Sequence, residues 1–178
     1  MLIIKTNSEK GYIQMSEYRG QPAAGFTLTE LLIVMVIAGI LLALAAPSFQ
    51  TMVANSTAEN ASGLIELDLA YARNNAITRG VLVRMTPASG GFQDGWTVQA
   101  FNGGVAGDVL RSRNSLDDKV TITSAQYSSS APIGFTSTGQ IETTGSLKIR
   151  TTGCTGDKNR DIDLMSSGQI VISGVSCP

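Results

Sequence analysis

From Phe26 to Ala46 the chain runs 21 residues with one charged side chain, Glu30, and beyond Glu30 it carries no polar side chain at all. Wound as a helix at about 1.5 Å per residue, this stretch spans roughly 30 Å, the thickness of a bilayer's hydrocarbon. A helix that is apolar on every side must be surrounded by lipid or by other helices. The flank before it carries Lys5, Lys10 and Arg19 against Glu9 and Glu17. That small cationic excess places residues 1–25 on the cytoplasmic side by the positive-inside rule. A carboxylate such as Glu30, drawn into the membrane without a partner, costs on the order of 2–3 kcal/mol. An acid in that position is expected to have a task.

Two ordinary accounts compete for this segment. A secretory signal has a cationic start, an apolar stretch of about 7–15 residues and a small-x-small cleavage site. Residues 31–42 followed by Ala43-Leu44-Ala45 fit the last two parts. They fit the first badly, because the start would be 30 residues long and end in an acid. A plain membrane anchor leaves the order Gly25-Phe26-Thr27-Leu28-Thr29-Glu30 unexplained.

That hexapeptide, continued by Leu31-Leu32 with Pro47 downstream, resembles the class III signal of type IV pilins and type II secretion pseudopilins. The resemblance implies that a prepilin peptidase cuts after Gly25 and that the new amino terminus, Phe26, is methylated. It also implies that Glu30, fifth in the mature chain, meets the terminal amine of a neighbouring subunit during assembly. Such a pairing answers the energetic question, since a cation and a carboxylate in apolar surroundings offset each other's desolvation. The leader, residues 1–25, is longer than in many major pilins and in this leans toward the minor ones.

Beyond the apolar stretch, residues 47–79 continue as an amphipathic helix, so that one helix is expected from Phe26 to about Arg79. Pro47 removes the hydrogen bond to the carbonyl of Ala43, and a bend is expected there. At 100° per residue Ala54, Ala58, Ala61, Ile65, Leu69, Ala72 and Ala76 share one arc of about 80°. This small-residue face lets a sheet approach closely and is expected to be buried. Asn55, Glu59, Ser62, Glu66 and Arg73 lie to another side and are expected to meet solvent. Val53, Leu64, Leu67 and Tyr71 form a second apolar patch beside the stripe. The sequons at Asn55 and Asn60 fall on this helix and are read as chance matches.

After Arg79-Gly80 the period changes from helix to strand. Residues 81–85, 96–101, 109–113, 120–125, 133–136, 146–151, 161–165 and 169–173 are short β-rich runs separated by turn formers. Val120 and Ile122 alternate with threonines, and Ile162 and Leu164 with aspartates, as in antiparallel sheets with one wet face. The expected fold class is α+β: a long N-terminal transmembrane helix packed on an antiparallel β-sheet domain, residues 80–178. Ser167-Gly168 reads as the turn of a hairpin between 161–165 and 169–173.

The only two cysteines are Cys154 and Cys177. A domain exported by the membrane helix meets an oxidising compartment, where a disulfide is the default. There is no histidine and no CxxC, so no metal site or cofactor is expected. Nor is there a GxSxG, Walker, Rossmann or HExxH signature, and no enzyme activity is expected. Formal net charge is −1, which exerts no global pull on nucleic acid.

Further along, Ala72 to Gly80 followed by Val81-Leu82-Val83, then Gly95-Trp96-Thr97-Val98, Ile133 to Gly139 and Cys154 through Gly168 to Cys177 are similar to the GspH/FimT/FimU group of minor pilins and pseudopilins. Members of the FimT type, used in DNA uptake, carry Gly-Arg-x-Arg in the last hairpin; here the stretch is Gly168-Gln169-Ile170-Val171. Both arginines are missing, and DNA affinity rests on cations. Arg111 with Arg113 and Lys148 with Arg150, each pair on one strand face, are the remaining candidate DNA contacts, beside Lys158 with Arg160. The resemblance implies a structural minor pilin of the FimU type, in the inner membrane with a periplasmic domain and then in the extracellular pilus. Its implied partners are other minor pilins, the major pilin, the prepilin peptidase and the inner-membrane assembly platform. DNA uptake of the FimT type and type II secretion of the GspH type are the alternatives.

Overall fold

The computed structural model describes residues 25–178, so all of the expected leader but Gly25 lies outside the described residues. A 52-residue helix, α1, runs from Leu28 to Arg79. Its start is capped: the hydroxyl of Thr27 accepts the amide of Glu30 at 3.1 Å, the spacing of a capping box. Its end is a Schellman motif on Gly80, at φ +65°, where the amides of Gly80 and Val81 bond back to Ile77 and Ala76. Val81, expected to open the first strand, is spent on this cap, and β1 starts at Leu82. The helix runs through Pro47 unbroken.

By its contacts the chain divides after Leu42. The first unit is the apolar start of α1; the second, Ala43–Pro178, holds the rest of α1 and every strand. These strands are β1 (Leu82–Ala88), β2 (Gly91–Asn102), β3 (Val105–Arg113), β4 (Val120–Thr123), β5 (Ile133–Phe135), β6 (Gly145–Thr151), β7 (Asn159–Leu164) and β8 (Ile170–Val175). The expected β domain resolves into two four-stranded antiparallel sheets, ordered β3-β2-β1-β5 and β4-β6-β7-β8. What separates them is β5, which pairs with β1 through Val83↔Phe135 and Met85↔Ile133 instead of joining its sequence neighbours. The β7–β8 hairpin turns at Gly168 as the sequence suggests, in register from Asn159↔Val175 to Leu164↔Ile170.

Every residue of the alanine-rich stripe is buried, with Ile65 and Leu69 fully so. Each of those two large side chains contributes roughly 2 kcal/mol by burial, and the alanines let the sheets reach the helix backbone. Opposite them lie the inward residues of both sheets: Val83, Met85, Trp96 and Val98 from the first, Leu147, Ile149, Ile162 and Leu164 from the second. One expectation about α1 needs correction. Glu59 and Glu66 are exposed, but Asn55, Ser62 and Arg73 are half-buried, and Asn55 and Arg73 are bonded to the β domain. Asn55 pairs both amide atoms with Thr155, at 2.9 and 3.4 Å. Arg73 donates Nε to the carbonyl of Gly139 at 3.0 Å and Nη2 to that of Ser167 at 3.2 Å, clasping two turns at once. The polar flank of α1 is therefore where loops dock, because turns expose carbonyls that need donors.

Cys154 and Cys177 form a disulfide, with Cα atoms 5.6 Å apart. It ties the residues after β8 to the β6–β7 loop, which the bonds of Asn55 to Thr155 and of Glu59 to Lys158 hold against α1. Closing this loop is worth about 3 kcal/mol by chain entropy. The double variant Cys154→Ser with Cys177→Ser is expected to lose stability of that order in denaturant unfolding. Adding a reductant should then weaken the parent and leave the variant unchanged; equal stability of the two under oxidising conditions would count against this role.

Candidate functional site

The N-terminal segment offers the least satisfied surface of the described chain. Phe26 is 86% exposed, and Leu31, Leu32, Ile33, Val34, Met35, Val36, Ile37, Ile40, Leu41, Leu42 and Leu44 are all exposed. This part of α1 is long and apolar enough to cross a membrane, and none of it is buried within the chain. At its head the Glu30 backbone amide is used by the Thr27 cap, but its carboxylate has no hydrogen bond or ion pair among the described residues. An exposed apolar helix, headed by an acid that meets no cation among the described residues, is chemically incomplete in water.

Six cations were singled out from the sequence, and the structure commits most of them internally. Arg150 reaches Asp161 at 2.7 Å, Lys158 reaches Glu59 at 2.5 Å, and Arg160 donates to the carbonyl of Asp157. Lys148, across the ladder from Asp161, is exposed and makes no side-chain hydrogen bond among the described residues. Arg111 and Arg113, on β3 in the other sheet, both turn onto Asp68 of α1. Arg113 binds it with Nε at 2.8 Å and Nη2 at 3.1 Å, Arg111 binds it with Nη1, and Trp96 Nε1 completes the set at 2.9 Å. The Arg111 guanidinium also lies 3.8 Å over the ring of Tyr71.

Asp68 is fully buried, and burial opposes its ionisation more than any other single influence. Hydrogen bonds from Arg113, Arg111 and Trp96 together outweigh that and hold its carboxyl below the usual value of 3.8. Correspondingly the bond to Asp68 pushes Arg113 up. Sequence reasoning passed over this residue. Its signal was available only in part: Asp68 lies about 20° beyond the edge of the alanine stripe on a helical wheel. At the last hairpin, the Gly168–Val171 stretch holds no cation, and the guanidinium nearest its turn, Arg73, is spent on backbone carbonyls.

Comparison with known proteins bears on both regions. The model of the prokaryotic N-terminal methylation motif matches residues 21–46. That of the type II transport protein GspH matches residues 61–168, more than half of the chain. The chain belongs to the GspH family. This GspH-family protein also shares its fold with the type IV minor pilin FimU of Pseudomonas aeruginosa. In one crystal form the identity is 17%, over 69% of this chain and 93% of that one, with a TM-score of 0.51. In a second form identity is 19%, over 69% and 98%, again at 0.51. The minor pseudopilin EpsH from the type 2 secretion system of Vibrio cholerae matches at 13% identity over 65% and 94%, with a TM-score of 0.50. No curated protein sequence gives a significant match. The protein is thus a minor pilin or pseudopilin, with an N-terminal apolar helix suited to membrane anchoring and a β-rich domain beyond it.

Proposed function

We propose that this GspH-family protein is a minor type IV pilin that helps to initiate pilus assembly at or near the filament tip. The reading is carried by one observation: an uncommitted Glu30 carboxylate at the head of a fully exposed apolar helix. In it, prepilin peptidase removes residues 1–25, Phe26 is methylated, and Glu30 pairs with the terminal amine of a neighbouring pilin. Residues 26–46 form the membrane and filament-core helix, residues 47–79 its amphipathic continuation beyond a bend at Pro47, and residues 80–178 the globular part. The chain waits in the inner membrane, its β domain in the periplasm, until the assembly platform moves it into the filament beside other minor pilins and the major pilin. It performs no catalysis and needs no cofactor.

A second reading, a minor pseudopilin of type II secretion, is favoured by the match to the GspH model and by the likeness to EpsH. DNA uptake draws less support, because Asp68 offsets one of the two charges of Arg111 and Arg113 and the Gly168–Val171 stretch lacks cations. Sequencing of the mature terminus should begin at Phe26 in the parent and in Glu30→Val, whereas Gly25→Val should remain uncut. Glu30→Val should insert in the membrane and enter filaments at least about ten-fold less well, since a factor of ten is only about 1.4 kcal/mol and an unmatched charge costs more. Incorporation equal to the parent would remove the assembly role, and a mature start at Ala46 or Pro47 would favour a secretory signal instead.

A further inference from the structure

The cluster around Asp68 is not electrically balanced. One carboxylate faces two guanidiniums, so a positive charge is left over. The carboxylate is also full, with each oxygen accepting two N–H groups from Arg111, Arg113 and Trp96. A guanidinium has five N–H groups. Arg111 spends one of these on Asp68, and neither its others nor those on Nη1 of Arg113 find an acceptor among the described residues. Both side chains reach the surface, at 28% and 31% exposure. Their planes are held, Arg113 by its two-point bond and Arg111 by the Tyr71 ring. The ring set against them is that of Tyr71, half-buried on α1.

We infer that the Arg111–Arg113 pair is a binding site for one carboxylate of another protein chain, an aspartate or glutamate presented by a neighbouring subunit. Arginine suits this because its planar fork matches a carboxylate, and here Asp68 has already fixed the fork in place, so little entropy is lost on binding. A DNA backbone fits the surface less well. Phosphate recognition draws on several cations along a strand, whereas this site holds a single surplus charge. Only the partner's identity rests on the assembly reading; the anion site itself does not.

Trp96 is the chain's one tryptophan, and its indole N–H lies on Asp68, so its proton–nitrogen resonance reports on the site alone. The full chain in detergent micelles, titrated with sodium acetate against sodium chloride at matched ionic strength, should show a saturable indole shift specific to acetate. Arg111→Gln keeps both bonds of Arg113 and that of Trp96, and so should keep the folded indole resonance while weakening acetate at least about ten-fold. In cells that build filaments, Arg111→Gln should be processed normally and incorporated several-fold less, with Arg111→Lys recovering part of the loss. An acetate response no larger than that to chloride, an unchanged response in Arg111→Gln, or saturation by a DNA duplex far below the acetate range would each overturn the assignment. If Arg111→Gln incorporates like the parent, the partner is wrong. The acetate shift should persist in Glu30→Val, whose change lies far along α1 from the site, and its loss in that variant with the folded indole resonance retained would overturn the assignment.

Discussion

Asp68→Ala is expected to destabilise the β-rich unit by about 3 kcal/mol, the low end for breaking a buried ion pair because the two arginines can turn toward water. The cost arises chiefly from what stays behind. Trp96 Nε1 is buried and loses its acceptor, and two guanidiniums that met over one carboxylate now repel each other. Asp68→Asn, which keeps the shape and one acceptor oxygen, should lose less. Denaturant unfolding of the full chain in micelles, followed by Trp96 fluorescence, reads both variants; an Asp68→Ala midpoint near that of the parent would show the cluster to be energetically neutral.

The same residue sets an acid limit. Its folded-state carboxyl titrates below the usual value of 3.8, so the ionised form is what the fold stabilises. That contribution is complete above about pH 4 and is lost as the pH falls through the folded-state value. Parent and Asp68→Asn should therefore differ most near neutrality and converge on acidification. A gap that widens in acid would reverse the sign and refute the assignment of Asp68 as the stabilising charge.

Gly168→Ala should be at least as damaging, and for a different reason. At φ +76° a side chain already costs about 1–2 kcal/mol. A Cβ there would also stand 1.8 Å from the carbonyl oxygen of Gly139 and 2.9 Å from Arg73 Nε. Backbone cannot yield as a flexible side chain can. The hairpin turn would have to part from the 139 turn, breaking the bonds by which Arg73 holds both. The sum should exceed about 3 kcal/mol, in the range reserved for steric conflict in a packed interior. Gly156→Ala is the matched control, since it shares a positive φ of +69° but meets nothing within 4 Å. Its cost should stay near the conformational one, and equal losses at the two glycines would mean that close approach of the turns does not matter.

The extent to which these features could be read in advance follows from their range along the chain. The β-rich runs were visible because alternation and turn residues act over a few neighbours: Ile162 and Leu164 point inward simply because they are two apart. The disulfide required only two cysteines and an oxidising compartment. Arg73 was misplaced because its face of α1 is polar, and nothing local signals that the carbonyls of Gly139 and Ser167, 66 and 94 positions away, will need donors there. The partners of Asp68 likewise lie 28, 43 and 45 positions on.

By itself, the uninterrupted apolar run after Glu30 determined that this chain carries a helix needing lipid or other helices around it, because it is apolar on every side. The stripe of alanines determined which face of α1 the β domain would meet. Which cations remained available to a partner was decided only in three dimensions. Arg111 and Arg113 look like any exposed pair on alternate strand positions until the sheet is laid on α1. Packing then brings them to a carboxylate whose burial opposes its ionisation, and the charge left over is a property of that juxtaposition and of no single segment.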